Sequence, residues 1–391
     1  MRVLNSLSEM NSMRILRLIW QEKKISRVDI ASTLSMDKST VTKITSELTS
    51  KGLVVETESG ESGPMGGRKP VFLEINGSRA CVGGIEINPE NMYLCLVSLK
   101  ANILFEHTQK IDNVEFEKIG LEGYFKIACK MLHAEAKKRA IPLAAIGVGL
   151  PGMIDVPGGA IIQSMPLCVT QRMEFVEFAQ SVAKVPVLIE NDARSCCYTE
   201  RMVSEKIGEC KNSMYVMVEF RKQNPSPDAI KNISVGVGLV MNGRIYNGSN
   251  SIAGEFRSMF CDGTNQTQFK SETKSIVSLD DKDAVVPVFK ELAKNIAFIV
   301  NTLALDVVYV GGIDKVYTQE IVKYIQEEVD YMWPYEWHKT AAVTSATISD
   351  AVVSYGAACM VLDKLFSVPE IDPSVSGTLQ GRDHILLHLP L

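Results

Sequence analysis

The chain of 391 residues is too long for one ordinary hydrophobic core, so two or three domains are expected. Its hydrophobic fraction of 46% and charged fraction of 22% are typical of folded globular proteins and exclude a disordered chain. The net charge of −5 by itself argues against a nucleic-acid-binding protein, but the charge is unevenly distributed. Residues 1–70 hold 11 Lys/Arg and 8 Asp/Glu, whereas the rest of the chain holds 30 and 38. A mildly basic head on an acidic body is consistent with a small DNA-binding module joined to a domain for another ligand.

The nine cysteines form no C-x-x-C pair, and most lie in apolar stretches, as Cys95 does. They are interpreted as core residues of a protein from a reducing cytoplasm. The N-terminus lacks the apolar core of a signal peptide, and no uninterrupted apolar run reaches about 18 residues. We therefore expect no membrane span and predict a cytoplasmic location.

The first 76 residues predict a winged helix-turn-helix domain. The pattern indicates helices over 11–20, from Ser26 onward and over 38–50, and strands over 53–55 and 71–75. Ser26 and Asp29 have the spacing of a helix start, and Asp37 is positioned to cap the third helix. The turn of about three residues between the second and third helices is typical of the helix-turn-helix motif. The Gly-rich run 58–70 is the predicted wing.

The third predicted helix has the features of a DNA-reading helix. Val41, Ile44 and Leu48 share one face and are expected to be buried. The remaining positions carry small hydroxyl groups and a lysine, which suit close approach to base edges and phosphates in a major groove. The cations at the end of the wing are placed to contact the DNA backbone or the minor groove. The predicted DNA contacts are Ser39, Thr40, Thr42, Lys43, Ser46, Arg68 and Lys69. The alternative is that residues 10–75 form a small helical protein-contact module.

The remaining chain predicts an α/β body in which one architecture is used twice. Strands are expected at 80–87, 92–99, 103–106 and 143–150, with a helix at 120–139, and a similar series of strands opens the second half at 213–220, 234–241 and 244–246. The expected domains are 1–76 for the winged helix, 77–193 and 194–365 for the two lobes, and 366–391 for a C-terminal tail. As an alternative, the last helix of the second lobe packs against the first lobe.

Two motifs of this body suggest ligand binding. The stretch Gly147-Val-Gly-Leu-Pro-Gly152 satisfies G-x-G-x-x-G, but a turn and a strand follow it instead of a helix, so a dinucleotide-binding fold is rejected. The stretch Pro186–Ala193 contains a predicted strand that ends in Glu190-Asn191-Asp192, which places polar side chains where α/β folds bind ligands. Asp192 has the chemistry of a general base for a hydroxyl group, and Asn191 that of a sugar-hydroxyl partner. The alternative is that this asparagine or aspartate caps the next helix.

The order of these motifs resembles the ROK family, which comprises repressors, open reading frames and sugar kinases, over essentially residues 10–365. The matching stretches are Gly66-Gly-Arg-Lys-Pro70, Gly147–Gly152, Ile189–Ala193, Gly236-Val-Gly238 with Asn242-Gly243, Ala253-Gly-Glu255, Val310-Gly-Gly312 and Gly356-Ala-Ala358. The resemblance implies a two-lobe actin-like (ribonuclease H-like) fold, a sugar site between the lobes, and dimers or larger assemblies. The fused helix-turn-helix and the stretch Ser164-Met-Pro166 resemble the repressor branch.

Compared with active kinases of this family, both phosphate-binding turns are altered. The first, Asp-x-Gly-Gly-Thr in kinases, falls on Glu86–Glu90 here, where Pro89 lacks an N–H donor. Glu90 would set a carboxylate against a phosphate, which costs on the order of 4 kcal/mol at about 4 Å and an effective dielectric near 20. The second, Gly-Thr-Gly, is Asn232-Ile-Ser234 here. Because phosphoryl transfer depends on positioning and electrostatic stabilisation, we expect no kinase activity, no cofactor, and in Asp192 only a vestigial base.

The family's zinc and sugar residues are also altered. Its zinc site uses a histidine just after the Ala-Gly-Glu motif and three cysteines, whereas this chain has Ser258 and Cys261 alone, so no metal and a remodelled loop at 257–275 are expected. Because that histidine also contacts sugar in the family, sugar recognition is expected to differ. Arg257 replaces a family glycine and suggests an acidic or phosphorylated effector, with a surface arginine as the alternative. The candidate effector residues are Asn191, Asp192, Glu255, Arg257 and Ser258.

These features predict a sugar-responsive transcriptional regulator, a repressor of carbohydrate genes, that binds operator DNA as a homodimer or a dimer of dimers. One alternative is an ATP-dependent sugar kinase that also binds DNA. The other is a DNA-binding protein whose body is only a dimerisation scaffold.

Overall fold

The computed structural model describes residues 7–58, 71–204, 210–220, 233–262, 267–271, 276, 278–336, 341–348 and 351–368. The N-terminal elements are α1 (Leu7–Glu22), β1 (Ile25–Ser26), α2 (Arg27–Leu34), α3 (Lys38–Ser50), β2 (Val54–Glu58) and β3 (Val71–Ile75). The three strands form one sheet in the order β1-β3-β2. The predicted winged helix-turn-helix is therefore confirmed.

Local sequence signals account for most of this domain. The Ser26 side chain accepts a hydrogen bond from the Asp29 N–H at the start of α2, and Ser35 ends that helix in the left-handed conformation. Val41, Ile44 and Leu48 of α3 are buried, as predicted. Asp37 lies at the N-cap position of α3, as predicted, although its side chain makes no capping hydrogen bond.

The first half of the body is built on a five-stranded sheet. Its elements are β4 (Cys81–Ile87), β5 (Asn91–Ser98), β6 (Ile103–Lys110), α4 (Asn113–Lys138), β7 (Leu143–Leu150), β8 (Met153–Asp155), β9 (Ala160–Gln163), α5 (Phe175–Ala183), β10 (Val187–Asn191) and α6 (Asp192–Val203). The strand order is β10-β7-β4-β5-β6. The helix predicted from residue 120 begins instead at Asn113, because Asp112 caps it, and Gly120 with φ 66° interrupts it. The strand predicted at 103–106 extends to Lys110, because it pairs with the whole of β5.

The second half repeats this arrangement. Its elements are β11 (Ser213–Phe220), β12 (Ile233–Met241), β13 (Arg244–Ile245), a 3₁₀ turn (Ser249–Ser251), α7 (Lys282–Leu303), β14 (Val307–Gly311), α8 (Lys315–Met332), β15 (Ala342–Ser345) and α9 (Val352–Leu365). The strand order is β13-β12-β11-β14-β15. Numbered along the chain within their own sheet, these strands lie in the order third, second, first, fourth, fifth. The first sheet, read from β6 to β10, has the same order. The predicted duplicated, actin-like body is confirmed.

Helices α6 and α9 lie between the two sheets. α9 packs on β4, β5 and β7 of the first sheet and along α6, while α6 also contacts β11 and β12 of the second. A Cβ added to Gly356 of α9 would lie 1.9 Å from the Ser195 carbonyl oxygen. A Cβ added to Gly147 would lie 2.0 Å from the Ala357 carbonyl oxygen. Glycines of two motifs therefore serve close packing. The expected lobe boundary at 193/194 falls within α6, after the second residue of that helix.

The winged helix shares one hydrophobic core with the body. The Trp20 ring of α1 stacks on Phe366, with centroids 4.9 Å apart and planes 13° from parallel. Phe366 and Val368 are 1% exposed, so the expected tail at 366–391 begins inside this core, while residues 369–391 lie outside the described part. No helix among the described residues combines the length and the apolar character needed to span a bilayer.

Candidate effector site and DNA-binding face

The predicted effector residues begin where β10 gives way to α6. The Asn191 side chain accepts a hydrogen bond from the Arg194 N–H (3.2 Å) and donates to the Gly152 carbonyl (3.1 Å) and to Asp192 Oδ1 (2.8 Å). The capping alternative is therefore correct for Asn191, which also orients the neighbouring carboxylate. Asp192 Oδ1 accepts a further hydrogen bond from the Ala193 N–H at 2.8 Å. Both Asn191 and Asp192 are half-buried.

Glu255 lies beside β12 of the second sheet. It forms an isolated antiparallel bridge with Gly236 of β12, and a Cβ built on Gly236 would lie 4.0 Å from Asp192 Oδ1. The preceding Gly254 has φ +96°, and its Cβ would fall 1.8 Å from the Val237 carbonyl oxygen, so only glycine fits there. The structure thus places the segment that carries Glu255 beside Gly236, close to Asp192, although the two lie far apart in the chain.

The other two predicted effector residues are placed differently. Ser258 is 3% exposed, and its hydroxyl accepts hydrogen bonds from Asn295 Nδ2 (3.1 Å) and the Phe260 N–H (3.2 Å). It is a buried anchor of its loop, which contradicts its expected contact with an effector. Arg257 is exposed, and its guanidinium donates to the Asp262 carbonyl at 3.2 Å.

Polar side chains of α7 hold the loop in which the family's zinc site is expected. Asn295 accepts from the Met259 N–H (2.7 Å), and Glu291 accepts from the Lys270 N–H (2.7 Å) and from the Ser271 N–H and hydroxyl. Burial tends to raise the pKa of Glu291, but the hydrogen bonds of Ser258, Ser271 and the backbone outweigh it and lower the pKa. Across the described ranges, no group of three or more His, Cys, Asp and Glu could hold a metal ion.

Sequence reasoning missed Glu291 and Asn295 as anchors. Both are buried on the apolar face of α7, four residues apart. Polar residues at this spacing inside an apolar stripe are the signal that could have identified them, since buried polar groups require partners.

A second polar region lies at the turn between β4 and β5. It borders a cavity of about 460 Å³ lined mainly by carboxylate, aromatic and apolar side chains, including Glu86, Pro89, Glu90, Tyr93, Glu219, Phe220, Asp314, Lys315 and Val352. The Asn88 side chain accepts hydrogen bonds from the Glu90 N–H (3.0 Å) and the Asn91 N–H (2.9 Å) and donates to Glu86 Oε1 (2.9 Å). The backbone donors of this turn are therefore engaged by the protein's own asparagine, and Pro89 has none to offer.

The predicted DNA-reading face of α3 is open to solvent. Ser39, Thr42, Lys43 and Ser46 are exposed, and Thr40 is half-buried. Arg27 links α3 to the sheet, because its guanidinium donates to the Thr45 hydroxyl of α3 (3.0 Å) and pairs with Glu56 of β2 (2.5 Å). Arg68 and Lys69, the predicted wing contacts, lie outside the described residues.

This architecture defines the class: a winged helix-turn-helix domain packed on a duplicated, actin-like body. Residues 82–268 match the sequence profile of the ROK family, and residues 9–62 match that of the MarR family. The body is thus similar to the ROK family, and the N-terminal helix-turn-helix domain is similar to the MarR family.

Curated relatives with similar sequences are named as repressors or transcriptional regulators. A xylose repressor of Caldicellulosiruptor bescii is 26% identical over 249 residues, which are 64% of this chain and 58% of the relative. The DNA-binding transcriptional dual regulator NagC of Escherichia coli strain K12 is 27% identical over 247 residues, 63% of this chain and 56% of NagC. The chain therefore matches less than two thirds of the length of these relatives.

Solved structures agree with the fold. A ROK family transcriptional regulator described as a homolog of the E. coli MLC protein superposes with a TM-score of 0.70 at 18% identity, over 95% of this chain and all of that chain. A ROK family glucokinase from Streptomyces griseus, in complex with glucose and AMPPNP, gives a TM-score of 0.54 at 14% identity, over 72% of this chain and 99% of that chain.

Proposed function

We propose that this protein is a cytoplasmic transcriptional regulator, acting as a repressor of carbohydrate genes, whose affinity for DNA is controlled by a sugar or sugar derivative bound between the lobes. One observation carries the proposal: an exposed reading helix with Ser39, Thr42 and Lys43 lies on a body that groups Asn191, Asp192 and Glu255. The names of the relatives, xylose repressor and NagC, support the same function.

The grouped side chains favour a neutral ligand rich in hydroxyl groups. Carboxylates are strong acceptors for hydroxyl donors and repel anions, so Asp192 and Glu255 suit a sugar better than a sugar phosphate. Arg257 remains a proposed contact only for an acidic effector. Ligand binding would alter how the two lobes approach each other and thereby the placement of the winged helix.

We infer that the active form is a homodimer or a dimer of dimers. A single recognition helix contacts only a few base pairs, and two half-sites read by two winged helices supply the affinity that a specific site requires. Contacts by Thr40, Ser46, Arg68 and Lys69 belong to this proposal.

The proposal includes the absence of kinase activity, because Asn88, Pro89 and Glu90 leave the first phosphate turn without available donors. The alternative is an ATP-dependent sugar kinase that also binds DNA, favoured by the orientation of Asp192 by Asn191. It predicts ADP release with a hexose, abolished by Asp192→Asn. No turnover over a broad sugar panel would remove this alternative.

The test combines ligand and DNA binding. D-xylose, D-glucose and N-acetyl-D-glucosamine are screened by thermal shift, because a ligand at 100 times its Kd stabilises the folded state by about 2.7 kcal/mol. DNA is selected by the wild-type protein from a random-sequence library and used in gel shifts with and without the stabilising sugar. We expect at least one sugar to raise the Tm and change DNA affinity, and Asp192→Asn to lose both effects.

Two results would contradict the proposal. If no sugar in a broad panel alters the Tm, the body is a dimerisation scaffold. If Lys43→Ala and the double variant Arg68→Ala/Lys69→Ala both bind the selected DNA like the wild type, residues 10–75 form a protein-contact module. We expect Lys43→Ala to weaken binding about tenfold, and the double variant to reduce its salt dependence as well.

A further inference from the structure

A buried arginine joins the two lobes beside the proposed effector site. Arg194 lies in the first turn of α6 and is 2% exposed. Its Nη1 donates to the carbonyl oxygens of Ser251 (3.0 Å) and Ala253 (3.1 Å), and its Nε donates to Glu190 Oε1 (2.7 Å). The two carbonyls belong to residues two and four positions before Glu255, so Arg194 holds the backbone of the segment that carries Glu255.

Burying this ion pair is costly. Glu190 is 1% exposed, and the desolvation of two charges offsets much or all of their mutual attraction. Glu190 Oε1 also accepts a hydrogen bond from the Asn191 N–H at 2.8 Å, so the pair is part of the network that orients Asn191 and Asp192. Its arrangement indicates a role in positioning, since stability alone would be served as well by apolar side chains.

The segment that Arg194 holds has a conformation that needs external support. Asn250 and Ser251 have φ values of 54° and 58°, and Gly254 has φ 96°. Non-glycine residues at positive φ store strain and persist only where the surroundings hold them. The Arg194 guanidinium supplies two hydrogen bonds to this strained backbone, which makes the segment dependent on α6.

The other end of α6 contacts the winged helix. Ser204 is the C-cap residue of α6, and its carbonyl oxygen accepts a hydrogen bond from Lys23 Nζ at 2.7 Å. Tyr198 and Met202 belong to the hydrophobic core that includes α1. A 12-residue helix spans about 18 Å, so α6 connects the proposed effector site directly to the DNA-binding domain.

We propose that Arg194 is a positioning residue that clamps the segment 251–255 to α6, and that α6 transmits a displacement of this segment to the winged helix. The proposal rests on the proposed function, because the segment contains Glu255. It adds the residue that makes the effector segment and the DNA-binding domain move as one unit.

The test is amide hydrogen exchange of the full chain without any ligand, comparing Arg194→Lys with the wild type. Lysine keeps the charge, but its single nitrogen cannot take the places of both Nη1, which holds the two carbonyls, and Nε, which pairs with Glu190. We expect exchange in residues 247–256 to become about tenfold faster, because hydrogen bonds to a charged donor are lost. Exchange in residues 198–204 and 19–25 should become about threefold faster, in the range expected for coupling between sites.

The matched control is Arg139→Lys. Arg139, the C-cap residue of α4, also pairs with a glutamate four residues earlier, Glu135, but both side chains are partly exposed to solvent. We expect this variant to leave the exchange of all three regions unchanged. If Arg194→Lys does not fold, the double variant Glu190→Leu/Arg194→Met removes both buried charges together, and the same pattern is expected from it.

Three outcomes overturn the proposal. Unchanged exchange in residues 247–256 shows that Arg194 is no clamp, and faster exchange confined to 247–256 excludes transmission through α6. An equal increase in α4 shows that Arg194 only supports the fold as a whole. Because no ligand is added, these results are independent of whether any sugar binds, which is tested separately by the thermal-shift screen.

Discussion

An asparagine side chain organises each of two polar regions between the sheets, with opposite results. At the β4–β5 turn, Asn88 accepts the N–H groups of Glu90 and Asn91 and so engages the donors that a phosphate group would need. At the start of α6, Asn191 caps the helix and donates to Asp192 Oδ1, which leaves the neighbouring carboxylate oriented and half-buried. Under the proposed function, the first region would no longer bind a phosphate group, whereas the second would keep polar groups that suit a sugar.

The largest expected effect is a loss of stability caused by a substitution in the backbone next to Glu255. Gly254→Ala should destabilise the protein by about 3 kcal/mol or more, because the new Cβ would meet the Val237 carbonyl oxygen at 1.8 Å in a residue with φ +96°. Urea denaturation measures the change. Gly243→Ala is the control, since Gly243 has φ +75° but nothing within 4 Å, and it should cost only about 1 kcal/mol. If both variants lost the same amount of stability, the protein would relieve the crowding at Gly254 at no additional cost in free energy, contrary to this prediction.

The two asparagines can be compared directly. Asn191→Ala should lower stability by about 1 kcal/mol through loss of the helix cap and should abolish the Tm shift caused by a binding sugar. Asn88→Ala should cost a similar amount, because two backbone N–H groups lose their acceptor, yet it should preserve the sugar response. Mg-ATP should shift the Tm of neither variant, because Pro89 and Glu90 remain. A sugar response that depends on Asn88 instead of Asn191 would reverse the assignment of the two regions.

The smallest expected effect is that of removing the charge of Glu200, a buried carboxylate of α6. Burial raises the pKa of Glu200, although the hydroxyl and N–H of Thr347 partly counteract this. A raised pKa means that the folded protein gains stability as the pH falls and loses it as the pH rises through that value. Glu200→Gln should therefore raise the Tm by about 1–2 °C at pH 7.5, and the gain should vanish below the ordinary value of 4.5. A gain that is independent of pH would show that the charge is not responsible.

Several features of the protein could be read from short stretches of sequence. The buried stripe of α3, the start of α2 at Ser26, the strands of the first sheet and three strands of the second follow from hydrophobic periodicity and capping residues, which are local properties. The order of the motifs then indicated the actin-like fold. Errors occurred where partners along or across the chain intervened: Asp112 started α4 earlier, and pairing with β5 lengthened β6.

The sequence by itself predicted the helices of the N-terminal domain, most strands of the two sheets and a resemblance to the ROK family over residues 10–365, because periodicity, caps and turn residues act over a few positions. Only the tertiary structure decided that Ser258 is buried under Asn295, that Asn88 engages the donors of its turn, that Trp20 stacks on Phe366, and that Arg194 joins the two lobes. The first, third and fourth of these contacts join residues between 37 and 346 positions apart, and the second depends on a side-chain orientation. Neither distant partners nor side-chain direction is encoded in a local pattern, so the chain had to be folded before these roles were visible.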